Sequence, residues 1–198
     1  KYADLTSGDD FVSITYNSAD LILFDDFSDS GSGWPIRIND DPIRLEYLDT
    51  KYKVEINSSD YREYLEWPGY SRIDEFVISS DMKLLDGEGE YGYLISWPDN
   101  SLTISIVNYE NDKILWVREN DSHLFENISD YLDNGISNNL MVVRRNSEIK
   151  IFLDNNLIKT INLTISIPES VYIKIRVGSS ERNEASVSID NFRLIDLQ

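Results

Sequence analysis

Apolar and polar residues alternate along much of this chain, in short runs separated by turn-forming residues. That period of two is the signature of half-buried β-strands. Phe76, Ile78, Ser80, Met82 and Leu84 share one parity and define one face of a long strand. Asp86–Glu90 (D-G-E-G-E) is the turn that follows, since glycine takes positive φ without steric cost, and Tyr91–Trp97 returns. Leu21–Phe27 is the first expected strand and Ser28–Trp34, rich in Ser and Gly, the first loop. Arg44–Leu48 and Tyr52–Ile56 read as a hairpin around Asp49–Lys51; Leu102–Val107 and Lys113–Arg118 flank Asn108–Asp112. Asn139–Arg145 and Glu148–Leu153 meet through Asn146-Ser147, and Asn155-Asn156 suits a tight turn into Leu157–Ile161. With Val171–Val177 and Ala185–Leu194 the count is eleven or twelve strands. Ser122–Asn138 is the longest break, with room for a helical turn, and holds the only histidine, His123.

The last strand breaks its own alternation. Val187 and Ile189 share one parity; Phe192 and Leu194 share the other. A β-bulge at Asp190-Asn191 would return all four to one face. The expected architecture is all-β, an antiparallel two-sheet jelly-roll sandwich over residues 21–198. Residues 1–20 are an N-terminal arm or extra edge strand carried by Phe11–Tyr16.

Composition narrows the function. The chain has 198 residues, enough for one sizeable core, and a formal charge of −18. Nucleic-acid affinity comes from clustered Lys and Arg, so no nucleic-acid partner is expected. Anionic lipid is disfavoured on the same ground, and no apolar run is long enough to insert in a membrane. No cysteine is present, which removes disulfides, thiol catalysis and Cys-based zinc sites. The chain opens on Lys1 rather than Met, which suggests a start inside a longer gene product.

The opening Phe24-Asp25-Asp26-Phe27-Ser28-Asp29 with Ser32-Gly33-Trp34 and the closing Ile189-Asp190-Asn191-Phe192-Arg193-Leu194 resemble the concanavalin-A-like lectin/glucanase superfamily. More narrowly they look like bacterial laminin-G-like or keto-disaccharide-hydrolase-like jelly rolls. Tyr91-Gly92, the acidic Trp97-Pro98-Asp99-Asn100 and the hairpin from Asn138/Asn139 to Asn156 follow in the same order. The resemblance covers about residues 21–197. It implies a jelly roll in a secreted or cell-surface protein, with first and last strands side by side. It also implies a structural Ca2+ between Asp26 and Asp190, where carboxylates and loop carbonyls supply oxygens.

Retaining glucanases of that superfamily carry E-x-D-x-x-E, whose outer glutamates face one side of a strand. That pattern is absent, and His123 has no nucleophile signature near it, so no catalytic residue is assigned. Ligand-binding candidates are aromatic. Tyr61, Tyr64, Trp67 and Tyr70 recur every third residue in a loop, and Trp97 with Asp99 and Asn100 offers a second lip. Rings stack on the C–H faces of sugars while Asp and Asn bond hydroxyls. Trp34 and Trp116 are assigned to packing. The expected function is a non-catalytic carbohydrate-binding or adhesion-type module with an oligo- or polysaccharide partner. A structural module with a protein partner and a divergent glycoside-active enzyme are the alternatives.

Overall fold

The computed structural model describes residues 21–38, 42–66, 73, 75–109, 112–120, 122–132, 136–163, 171–181 and 183–197. Residues 1–20 and their expected strand lie outside that range. So do Trp67 and Tyr70. Among the described residues there are fourteen strands: β1 (Leu21–Asp25), β2 (Ile43–Leu48), β3 (Lys51–Ile56), β4 (Arg62–Glu66), β5 (Phe76–Gly87), β6 (Gly89–Trp97), β7 (Asn100–Tyr109), β8 (Asp112–Glu119), β9 (Ser122–Asn127), β10 (Asn138–Arg145), β11 (Glu148–Leu153), β12 (Asn156–Asn162), β13 (Tyr172–Ser179) and β14 (Ala185–Asp196).

They form two antiparallel sheets. One has the order β12-β11-β10-β5-β14-β3-β2, with β1 also on β14; the other runs β4-β13-β6-β7-β8-β9. Among the described residues no helix is long and apolar enough to cross a membrane.

The side-chain alternation of each strand decides what lies between the sheets. From the six-stranded sheet Leu65, Ile175, Val177, Tyr91, Tyr93, Ile95, Ile104, Leu115 and Val117 point inward. From the other come Val54, Ile56, Ile78, Met82, Leu140, Val142 and Ile151. Tyr93 ties the layers by a polar contact: its hydroxyl lies 2.6 Å from Ser80 Oγ and donates to Leu140 O at 2.9 Å. The tyrosine can enter the core because its one polar atom is satisfied there. Ion pairs close the sides, Lys159–Glu126 at 2.7 Å and Arg37–Glu63 at 3.3 Å.

The hairpins follow turn chemistry. Asp49 and Thr50 both have positive φ, as a tight two-residue turn with the sheet's natural twist requires. Asp154 and Asn155 do the same one residue earlier than the spacing suggests, so Asn156 opens β12. The D-G-E-G-E segment does not make a hairpin. It carries the chain from β5 in one sheet to β6 in the other. Gly87 has φ of +77°, and a Cβ there would meet Glu184 O.

The bulge expected at Asp190-Asn191 is present. Register slips between Asp190 and Arg193 against β5, and Asn191 has φ of +50°. Val187, Ile189, Phe192 and Leu194 all reach the core as a result. The bulge also marks a change of neighbour. Before it, Ala185–Ile189 pairs with β3; after it, Phe192–Ile195 pairs with β1. First and last strands are therefore adjacent, with Asp25 opposite Phe192.

Around that junction Phe27, Trp34, Tyr47, Tyr52 and Phe192 form one aromatic cluster, centroids 5.3–6.2 Å apart in the pairs that touch. Its buried acid is Asp25, which accepts from Phe27 N at 2.7 Å and from Trp34 Nε1 at 2.8 Å. The opening motif thus folds back on itself. One carboxylate holds both the turn and the indole.

Two segments differ from expectation. Arg62–Glu66, read as loop, is strand β4, and Ser122–Asn127, read as part of the long break, is strand β9. Both are edge strands. An edge strand covers core with few residues, here chiefly Leu65 and Leu124, so its alternation is faint.

Candidate functional site

The outward face of the six-stranded sheet is built in rows. Cross-strand register places Tyr64, Arg176, Gly92, Ser105, Trp116 and Phe125 in one line from β4 to β9. The adjacent line is Arg62, Gly178, Glu90, Val107, Ile114 and Asn127. Gly92 and Ser105 are small, which leaves room above them for two large side chains to lie across the sheet. Arg176 enters from one side and Trp116 from the other. The guanidinium carbon sits 5.4 Å from the Tyr64 ring centre and 5.3 Å from the Trp116 ring centre. Arginine favours this sandwich because its flat cation is weakly hydrated and is attracted to ring faces.

Charge is paired beneath that layer. Arg176 Nη2 donates to Glu90 Oε1 at 2.6 Å, and Arg62 Nε donates to the same oxygen at 2.9 Å. Arg176 Nη1 donates to Tyr64 Oη at 2.8 Å, and Arg62 Nη1 meets Asp60 Oδ1 at 3.2 Å. The side chains of Arg176 and Glu90 are only 5% and 7% exposed, although both stand on the outer face. Glu90 Oε2 has no hydrogen-bond partner among the described residues.

Three rings continue the surface at the β8–β9 edge. The rings of Trp116, His123 and Phe125 are within 13° of parallel, with centroids 5.9–6.5 Å apart. The indole N–H donates to His123 Nδ1 at 3.2 Å. Ring hydrogen bonds run in the ring plane, so the indole and imidazole lie edge to edge and form a flat platform. Phe125 is 65% exposed. The platform borders a cavity of about 550 Å3, whose other walls include Arg62, Glu90, Asp60, Val107, Ile114, Ser180 and Glu181. Its size and its mix of apolar surface with a few polar groups are those of a small-ligand site.

The candidates named from sequence divide around this cavity. Tyr64 lies outside the cavity lining, is 40% exposed, and bonds Arg176, whose guanidinium reaches Trp116. Tyr61, three residues earlier on an extended chain, faces the opposite way and packs on the core with its hydroxyl on Glu63 at 3.2 Å. Trp97 is 6% exposed and part of the core. Asp99 lies in the β6–β7 turn and Asn100 opens β7, at the far end of β6 from Glu90; Asn100 Oδ1 accepts from Asn120 Nδ2 at 3.0 Å. Trp34 packs, as assigned. Trp116, assigned to packing, stands on the outer face instead.

The residues missed had a parity signal. Leu115 and Val117 point inward, so Trp116 between them points out. Ile175 and Val177 do the same for Arg176. An outward Trp and an outward Arg on neighbouring strands are a surface to inspect.

At the seam, Asp26 and Asp190 have different surroundings. Asp26 accepts from Ser28 Oγ at 2.7 Å and Ser28 N at 3.1 Å, and these bonds hold its carboxyl below the usual range. Burial raises Asp190, with repulsion from Asp81 and Asp26 adding to it. Asp81 itself accepts from Asn139 and Asn191 side-chain amides at 2.7 and 2.8 Å. No group of three or more acids or histidines is arranged to hold a metal ion among the described residues.

Known structures share this fold. The carbohydrate binding module CBM66 from Bacillus subtilis is 15% identical, with a TM-score of 0.56 over 83% of this chain and 92% of that one. A Bacillus subtilis protein with a galectin-like fold gives 0.68 at 9% identity, over 92% and 98%. The catalytic domain of an endo-1,3-β-glucanase from Thermotoga petrophila gives 0.62 at 11%, over 90% and 98%. No family model matches the chain, and no curated protein matches it in sequence. The fold is therefore a concanavalin-A-like jelly-roll sandwich.

Proposed function

We propose that this chain is a non-catalytic carbohydrate-binding module of a secreted or cell-surface protein, and that sugar binds in the cavity beside Trp116. The parallel rings of Trp116, His123 and Phe125 at the cavity carry the reading. A flat apolar surface at the mouth of a cavity suits the C–H face of a pyranose, while Arg62, Asp60 and His123 offer hydrogen bonds to hydroxyls. A carbohydrate binding module and a glucanase domain among the structural neighbours support the same class of ligand. Two of the three acids at the cavity, Glu90 and Asp60, are tied to arginine, and the glucanase motif is missing, which favours binding over hydrolysis. Trp116→Ala should weaken binding to the best ligand on a glycan array at least tenfold in titration calorimetry, with Phe125→Ala weaker in effect. Failure of the wild type to bind any glycan at millimolar concentration removes the proposal.

Calcium at the seam is proposed on separate grounds: Asp190 carries repulsion from Asp81 and Asp26 that a divalent cation would relieve. Asp190 has a folded-state pKa above its unfolded value, so its charge costs stability at neutral pH. That cost is lost as pH falls through the folded pKa toward 3.8. Asp190→Asn should therefore raise Tm at pH 7 in chelator, and the gain should vanish below about 3.8. Millimolar calcium should raise Tm of the wild type and leave Asp190→Asn unmoved. An unmoved wild type ends the calcium proposal.

A further inference from the structure

The cavity's charges point to the class of sugar it takes, an inference that rests on the binding reading above. We propose that the ligand is a neutral glycan and that the site excludes uronate, sialyl and sulfated sugars.

Both arginines near the site already hold carboxylates, although Arg176 Nε is buried with no acceptor among the described residues. Arg176 is sandwiched between Tyr64 and Trp116, with Nη2 on Glu90 and Nη1 on Tyr64. Arg62 gives Nε to Glu90 and Nη1 to Asp60. Against Arg62 on the cavity wall stand three acids, Asp60, Glu90 and Glu181. An incoming carboxylate would have to displace a carboxylate the protein holds in place.

Carboxylate oxygens outnumber cations on the cavity wall, where Asp60, Glu90 and Glu181 face Arg62. Glu90 Oε2 is buried with no donor among the described residues, although Oε1 of the same group takes two. Asp60 and Glu181 stand at the open side, both exposed. Hydroxyl groups donate to such oxygens; carboxylates and sulfates do not. His123 Nδ1 accepts from the Trp116 indole N–H, which ties that nitrogen to the platform. The remaining wall, Val107, Ile114, Trp116 and Phe125, is apolar and matches the uncharged face of a sugar ring. The formal charge of −18 over the whole chain extends the repulsion to approaching polyanions.

The test is calorimetry and array binding with neutral gluco-, manno-, galacto- and fructo-oligosaccharides beside galacturonate, glucuronate and sulfated oligosaccharides of equal length. Neutral sugars should bind in a Trp116-dependent way. The anionic series should bind at least tenfold more weakly at low ionic strength, with the gap closing as salt screens the repulsion. Asp60→Asn combined with Glu181→Gln should narrow the same gap. Anionic sugars binding at equal or greater strength through Trp116 overturn this inference and leave the binding reading standing. Binding of neither class removes both.

Discussion

Arg176→Met should be among the most damaging single changes on the outer face of this protein, costing about 3–5 kcal/mol of stability in urea unfolding at neutral pH. The reason is the carboxylate it leaves behind. Glu90 is 7% exposed; among the described residues one of its oxygens has no partner, and the other would retain only the half-exposed Arg62. A buried charge stripped of its main counterion is far more costly than a buried pair is stabilising. Tyr64 and Trp116 would also lose the cation between them, worth about 0.5–2 kcal/mol at such sites. Two controls separate the causes. Glu90→Gln with Arg176→Met should recover most of the loss, because the uncompensated charge is gone. Arg176→Lys should not rescue, since an ammonium cannot bond Glu90 and Tyr64 while lying flat between two rings. A loss under 1 kcal/mol for Arg176→Met would show that water reaches Glu90.

The second large effect belongs to Asp25. Asp25→Ala removes the acceptor of Trp34 Nε1 and of Phe27 N, both buried, and should cost about 2–4 kcal/mol. Asp25→Asn keeps the shape, and its oxygen can still take the Phe27 amide. It sets an NH2 against the indole N–H, so it should lose more than half of what alanine loses. Trp34→Phe probes the same bond from the other side by leaving Asp25 Oδ2 unpaired. A thermal shift near zero for Asp25→Asn would mean that the turn, and not the indole, needs this residue. Because Asp25 lies opposite Phe192, loss of this bond should loosen β1 from β14 before the rest of the sandwich.

The two residues also show how unevenly the sequence could be read. The seam was legible. Broken parity at Asp190-Asn191 implies a bulge, and the bulge is where β14 exchanges β3 for β1. Of the two adjacent acids, Asp26, expected to face Asp190 across the seam, is exposed on its own serine turn, while Asp25 does the internal bonding. Adjacent carboxylates on a strand face opposite ways, and the spacing does not say which side is core.

The site was much less legible. Tyr61 and Tyr64 look like a set because they recur every third residue, a spacing that puts them on opposite faces once Arg62–Glu66 is extended. Trp97 looks like a lip and is core. Trp116, Phe125 and His123 come from two strands, one of them an edge strand with a single apolar residue packed on the core.

What the sequence determined by itself was local. Period-two alternation, turn residues with access to positive φ, and the parity break near the end define an antiparallel sandwich and its closing seam. Each of these signals acts between residues close along the chain. What only the tertiary structure decided was the row Tyr64–Arg176–Gly92–Ser105–Trp116–Phe125. Five strand pairings bring it together from segments up to 112 residues apart. Register across strands is set by packing of the whole core, and no local pattern encodes it. The cavity, its paired charges and its aromatic platform exist only once that register is fixed.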